Sequence, residues 1–258
     1  MNIPLIDTHA HICDSSFDAD RVAFLERAQQ GHVIGIVAVG ENIKDAHKNL
    51  DLADNAPIVK PAAGLYPTHT DLDSAEEMIT FVREHHHRLF AIGEVGLDFW
   101  VVKEKEQREI QKDIFSSFIK LSLDLDLPLN VHSRSAGRHA LDMLLEKSAE
   151  RVQMHAFDGK ASYASYGVEA GFFFSIPPSL VRSKQKQKLV RQLPMESLLL
   201  ETDSPVLGPN PKTRNEPANL LVAAQAIADI KGESLQKTLH VIKENTLRLY
   251  GDRLLGSY

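Results

Sequence analysis

Eight short apolar runs punctuate the chain, and each gives way to a polar loop and then to a helical pattern. The runs are Ile3–Ile6, Val33–Val39, Ile58–Leu65, Leu89–Val95, Leu127–Val131, Arg151–Met154, Phe172–Ser175 and Ser197–Leu200. They are rich in Val, Ile, Leu and Phe, as strands of a parallel sheet buried on both faces must be. The helical patterns are Asp20–Gln30, Glu41–Asp54, Ser74–His87, Glu104–Asp126, Ser135–Ser148, Lys160–Val168, Arg182–Gln192, Glu216–Ile230 and Glu233–Tyr250. Ser74 and Glu77 stand at capping-box spacing at the head of the third. Strand–helix alternation predicts βαβ units, and eight of them predict a closed α/β architecture, the (β/α)₈ TIM-type barrel. A chain of 258 residues suits one such barrel, so residues 1–258 are expected to form a single domain. An open doubly wound sheet would bring a glycine-rich nucleotide fingerprint after its first strand. Here the first run leads instead into Asp7-Thr8-His9-Ala10-His11.

The composition narrows the function classes. Hydrophobic residues make up 43 % of the chain and charged residues 25 %, ordinary values for a protein with a full core. The formal net charge of −6 argues against a protein that coats nucleic acid through bulk charge, but leaves room for a local phosphate site. One cysteine, Cys13, cannot make an internal disulfide. The N-terminal stretch has neither a basic segment nor a long apolar one, and no apolar run reaches the ~18 residues of a membrane span. The expectation is a cytoplasmic protein, away from membranes, with no obligate protein partner.

The chemistry is carried by where histidines and acids fall. His9 and His11 are two apart at the end of the first strand, and alternate strand residues point the same way, so their imidazoles can converge on one ion. Glu94 ends the fourth strand, His132 the fifth, His155 the sixth and Asp203 the eighth. The C-terminal ends of barrel strands are where such folds keep their active sites. Four imidazoles and two carboxylates gathered on one rim call for cations, and they are ligand types for Zn, Mn, Fe or Mg. Six ligands exceed the needs of one tetrahedral ion. Two divalent ions bridged by a carboxylate use them better, with a bridging hydroxide as nucleophile. Glu94 is the expected bridge, His9, His11 and Asp203 the ligands of one ion, and His132 and His155 those of the other. Asp203 is the expected general base.

The loops on the same rim carry Arg134, Arg138, Arg182, Lys184, Lys186, Lys188, Lys212 and Arg214. Guanidinium groups suit bidentate phosphate recognition, so a phosphate ester is favoured, with Arg134 and Arg214 the cations expected nearest the metals. Phe99 and Trp100 follow the fourth strand and offer rings on which a base could stack. The same metal ligands would serve a small-molecule amidohydrolase or lactonase, since a bridging hydroxide attacks a carbonyl as well as a phosphorus.

At these residues the chain resembles the TatD family of metal-dependent deoxyribonucleases, within the amidohydrolase-like barrels. The resemblance rests on Asp7-Thr8-His9-Ala10-His11, Ile92-Gly93-Glu94-Val95-Gly96-Leu97-Asp98, Asn130-Val131-His132-Ser133-Arg134, His155-Ala156-Phe157-Asp158-Gly159, Glu201-Thr202-Asp203-Ser204-Pro205 and Arg214-Asn215-Glu216-Pro217. Val131 to Arg138 and Ser175-Ile176-Pro177-Pro178-Ser179 are worded like a third, eukaryotic-type branch of that family. The resemblance implies a TIM-type barrel, divalent metals on His9, His11, Glu94, His132, His155 and Asp203, and DNA as the phosphodiester substrate. One segment departs from it. The family often carries Gly-x-His-Pro-His after the third strand, and this chain reads Gly64-Leu65-Tyr66-Pro67-Thr68-His69. Tyr66 can donate to a phosphate oxygen but cannot take up a proton in the histidine range, and His69 is the alternative substrate contact.

Overall fold

The computed structural model describes residues 3–255. Eight strands, β1 (Leu5–Ala10), β2 (Val33–Ala38), β3 (Val59–Ala63), β4 (Ala91–Gly96), β5 (Leu129–His132), β6 (Val152–Met154), β7 (Phe173–Ile176) and β8 (Leu198–Leu200), lie side by side in chain order. Every pairing is parallel. Helices α1 (Arg21–Gln30), α2 (Ile43–Asn55), α3 (Leu72–His85), α4 (Lys105–Leu125), α5 (Gly137–Glu146), α6 (Ala161–Glu169) and α7 (Lys184–Gln192) make the crossovers, and α8 (Leu220–Lys231) and α9 (Leu235–Tyr250) follow β8. The first and last strands meet. Thr8 Oγ1 donates to the Leu200 carbonyl at 2.9 Å and the Asp203 N–H donates to the His9 carbonyl at 2.9 Å. The result is the TIM-type barrel that the alternating pattern predicts. None of the described helices is long and apolar enough to cross a membrane.

Alternation along the strands sorts the core into two layers. Leu5, Ile36, Ala63, Ile92, Phe174 and Leu200 pack with the helices, in one cluster with Phe24, Met78, Phe115 and Leu144. Their neighbours Ile6, Val37, Ala62, Ala91, Phe173 and Leu199 form the second cluster with Tyr250 and Leu254 from the end of the chain. Above that apolar floor the interior turns polar, through Asn130, Gln153, Ser175 and Glu201, all of them buried.

Two local expectations are corrected. The first strand does not stop at Ile6 but runs through Ala10, so His9 lies within the strand. Its polar residues are buried because they make the seam with β8: Asp7 accepts from the Thr202 N–H at 2.9 Å. The third helix does not open on a Ser74–Glu77 capping box. Asp71 caps it, its side chain accepting from the Ser74 N–H at 3.0 Å, which starts the helix two residues sooner.

One glycine matters to the site. Gly96 has φ +140°, and a Cβ there would stand 2.1 Å from the His132 carbonyl oxygen. Only a residue without a side chain lets β4 approach β5 this closely, and that approach brings Glu94 against His132.

Candidate metal centre

Glu94 sits at the centre of the group and is 1 % exposed. Its Oε2 lies 3.1 Å from His11 Nε2 and 3.7 Å from His9 Nε2. Its Oε1 lies 2.6 Å from His132 Nδ1 and 3.8 Å from His155 Nε2. One oxygen therefore faces the β1 histidines and the other faces the β5 and β6 histidines. Asp203 closes the group from above: its Oδ1 is 3.5 Å from His9 Nε2 and 3.6 Å from His11 Nε2, and its Oδ2 is 3.8 Å from His155 Nε2. The His9 and His11 Nε2 atoms converge to 3.3 Å, as alternate residues leaving one strand should. The His155 ring stacks on His9 at 3.6 Å between centroids. Two sets of ligand atoms lie within 4.8 Å of one another and could each hold an ion: His9, Glu94 and His155, and His9, His11 and Asp203. His132 joins them through Glu94 alone.

Polar partners that the sequence reading did not single out fix the rings. His9 Nδ1 is 2.8 Å from Asn130 Oδ1, His155 Nδ1 is 2.8 Å from Glu201 Oε2, and His132 Nε2 is 3.1 Å from Asp98 Oδ2. In each case one ring nitrogen is held by the protein and the other is aimed at the centre, the arrangement by which outer partners orient metal-ligating histidines. Asn130 is held in turn, donating to the Thr8 carbonyl at 2.9 Å and to the Tyr250 hydroxyl at 3.3 Å. Glu201 also accepts from Ser175 Oγ and from the Ala156 N–H. Asp98 and Glu201 stand in the motif segments, but only folding shows which ring each one holds. Replacing Glu201 with Gln should lower metal affinity by roughly 10- to 100-fold, because a neutral amide no longer secures the His155 tautomer. Titrating the metal-stripped variant with a competing chelator measures this, and unchanged affinity would remove Glu201 from the role.

Charge is concentrated here. Burial opposes a charged ring at His9, but Glu94 and Asp203 outweigh it and hold the pKa up to about 10. The same opposition at His132, settled by Glu94 and Asp98, leaves it raised to about 9. Burial likewise disfavours ionised Glu94, yet His132 and His9 pull its carboxyl well below the usual range. Asp203 is lowered against burial by His155 and His9. Both carboxyls are therefore ionised at neutral pH.

A cleft of ≈ 580 Å³ opens onto this group, with Tyr66, Arg134, Lys186 and Val206 among its walls. The Tyr66 ring lies 4.9 Å from that of His132. Burial, and then the nearby Glu94 and Asp98, push the Tyr66 hydroxyl upward, so it stays protonated. Two expected substrate contacts are elsewhere. Arg214 bonds both oxygens of Asp20 at 2.7 Å and the Ser16 carbonyl at 2.6 Å, with its guanidinium 4.5 Å from the Phe17 centroid. It is not among the cleft residues, because Asp20 at the head of α1 already satisfies its fork. His69 is exposed and also outside the cleft. Its backbone turns back to donate to the Tyr66 carbonyl, and Tyr66 rather than His69 lines the cleft. Lys186, named in the sequence only as one of several rim cations, is instead a wall of the cleft.

Comparison with known proteins identifies the family of the chain. The profile of the TatD related DNase family matches residues 6–251. Human deoxyribonuclease TATDN3 is 43 % identical over 263 residues, covering 96 % of this chain and 95 % of the human protein. The uncharacterized metal-dependent hydrolase YabD of Bacillus subtilis (strain 168) is 32 % identical, covering 95 % of this chain and 98 % of that protein. Among solved structures, the TatD homologue YJJV of Escherichia coli superposes with a TM-score of 0.89 at 26 % identity, covering 97 % of this chain and 99 % of its own. The chain therefore belongs to the TatD related DNase family of metal-dependent hydrolases.

Proposed function

We propose that this chain is a phosphodiesterase that cleaves DNA at ends or in unpaired stretches, using two divalent cations of the Mg, Mn, Zn or Fe class. The observation that carries the reading is Glu94. Its Oε2 is buried without a hydrogen bond of acceptable geometry, although it is surrounded by imidazole nitrogens. A buried carboxylate oxygen left this way is costly unless a cation completes it. The donor set of imidazoles and carboxylates fits such ions. His9, His11 and Asp203 would hold one, His132 and His155 the other, and Glu94 both. Bound there, divalent cations would acidify water and polarise a phosphoryl oxygen.

The protein's own groups supply the rest. Ionised Asp203 is placed to take a proton from the attacking water. Tyr66 keeps its proton and can donate to a phosphate oxygen. Lys186 and Arg134 are the cleft's two basic side chains, and among the described residues neither has a carboxylate within 4.0 Å. Lys186 Nζ donates to the Ala156 carbonyl at 3.1 Å and keeps further N–H donors that could meet a phosphate, as could the Arg134 guanidinium. A chain of net charge −6 cannot grip long duplex by counterion release, which favours ends and single strands. The single thiol, Cys13, is buried and suits a reducing compartment such as the cytoplasm.

Metal loading should release protons. With His9 held at about 10 and His132 at about 9, both rings are protonated near neutral pH in the metal-free chain and must lose that proton to coordinate. Calorimetry in buffers of different ionisation enthalpy should return a net release of protons on metal binding, with affinity rising as pH rises. A heat that does not depend on the buffer would count against these rings as ligands.

The function itself is tested by stripping the protein of metal, reloading it with Mg, Mn or Zn in turn, and offering labelled single-stranded DNA, an aryl phosphodiester and an aryl ester. Metal-dependent shortening of the DNA supports the reading. Cleavage of the aryl ester alone moves the function to a small-molecule hydrolase on the same centre.

A further inference from the structure

Trp100 is the chain's single tryptophan and is 58 % exposed, with its neighbour Val101 at 52 %. It stands beside the catalytic cleft, because Arg134, which lines the cleft, lays its guanidinium 5.2 Å from the indole centroid. The Lys103 ammonium is 5.1 Å from the same centroid. Among the described residues neither cation has a carboxylate within 4.0 Å, whereas Arg21, Arg27 and Arg214 all do. An exposed indole with two unneutralised cations over its ring matches the two parts of a nucleotide, a flat base that can take the place of a cation on the ring and an anionic phosphate that the displaced cation can meet.

The backbone that carries the indole is also held in place. Asp98 Oδ1 accepts from the backbone N–H of Trp100 at 2.9 Å and from that of Val101 at 2.8 Å. The Phe99 N–H donates to the Arg134 carbonyl at 3.0 Å, and the Arg108 guanidinium donates to the carbonyls of Phe99 and Val102. The other oxygen of Asp98 is the one at 3.1 Å from His132 Nε2. A single carboxylate thus fixes the ring that faces Glu94 and the backbone that carries the indole.

From this arrangement we infer that Trp100 is a shelf for one unpaired nucleobase, with Arg134 and Lys103 meeting the flanking phosphates and Asp98 setting the distance from that base to the phosphate under attack. The inference rests on the nuclease reading and makes it more specific. A base can lie on the indole only after leaving its own stack, so the site selects single strands and frayed ends.

The test uses the metal-loaded full chain and single-stranded oligodeoxynucleotides carrying one abasic residue at successive positions, with the aryl phosphodiester as reference. One abasic position should lower kcat/KM about tenfold relative to the reference, and Trp100→Ala should lower it by a similar factor on the intact strand. The two losses should not multiply at that position, and Trp100→Phe should retain most of the activity. Because the chain has one tryptophan, its fluorescence should also be quenched when the intact oligonucleotide binds, and much less with the strand abasic at that position. DNA cleavage with no sensitive position, or with losses that multiply, overturns the shelf and leaves the nuclease reading standing. A wild-type protein that hydrolyses the aryl diester and cuts no oligonucleotide overturns both.

Discussion

Asp203→Asn should reduce turnover on DNA by about 10³-fold or more while the protein stays folded and retains metal. The substitution keeps the shape of the side chain and removes its charge and its ability to accept a proton. Asp203 turns its Oδ1 toward His9 and His11 and its Oδ2 toward His155. Its backbone is specialised as well. It has φ +54°, an unfavourable value for a residue with a side chain, and its N–H is tied to the His9 carbonyl across the barrel seam. Such a conformation persists where the surroundings over-determine it, which is common at sites of function. The measurement is kcat alongside metal content by mass spectrometry. Full activity with metal bound would remove Asp203 from the mechanism.

Glu94→Gln should have an even broader effect: loss of bound metal, loss of activity, and a less stable metal-free protein. The side chain is buried among four imidazoles and raises the pKa of three of them, His9, His11 and His132. Removing one partner of a buried charge cluster strands the others, at a cost of about 3–5 kcal/mol. The pH dependence has a definite sign. His9 is raised from 6.5 to about 10, so its pairing stabilises the fold fully below pH 6.5 and is lost as pH rises through 10. In metal-free protein the gap in stability between wild type and Glu94→Gln should therefore be widest at pH 6.5 or below and narrow toward pH 10. Chemical denaturation across that range reads it directly, and a gap that widens with pH would contradict the charge assignment.

The repeat of apolar run and helical pattern predicts the barrel, and all eight runs become strands, because a buried parallel strand needs only a short continuous apolar stretch. The His9–His11 convergence also follows from local geometry, since the two-residue period of a strand is independent of what surrounds it. Glu94 does not end its strand, as β4 runs on to Gly96, but it and His132, at the end of β5, with His155 and Asp203, just past β6 and β8, still fall toward one rim, since strand order in a barrel places every C-terminal end there.

What the sequence does not contain is which long-range partner each polar group finds. Arg214 and Lys186 look alike as rim cations, yet Asp20 neutralises the first and the second turns into the cleft. Asp98 and Glu201 are two acids among 35, and they become the supports of His132 and His155 only when β4 meets β5 and β6 lies near β8. Amphipathic period and strand-end placement are properties of consecutive residues, so the sequence by itself determined the barrel and the set of groups on its rim. Pairings across 34 to 46 positions depend on how strands and loops pack in three dimensions. Tertiary structure alone decided which charges are spent on one another and which remain free for a metal or a phosphate.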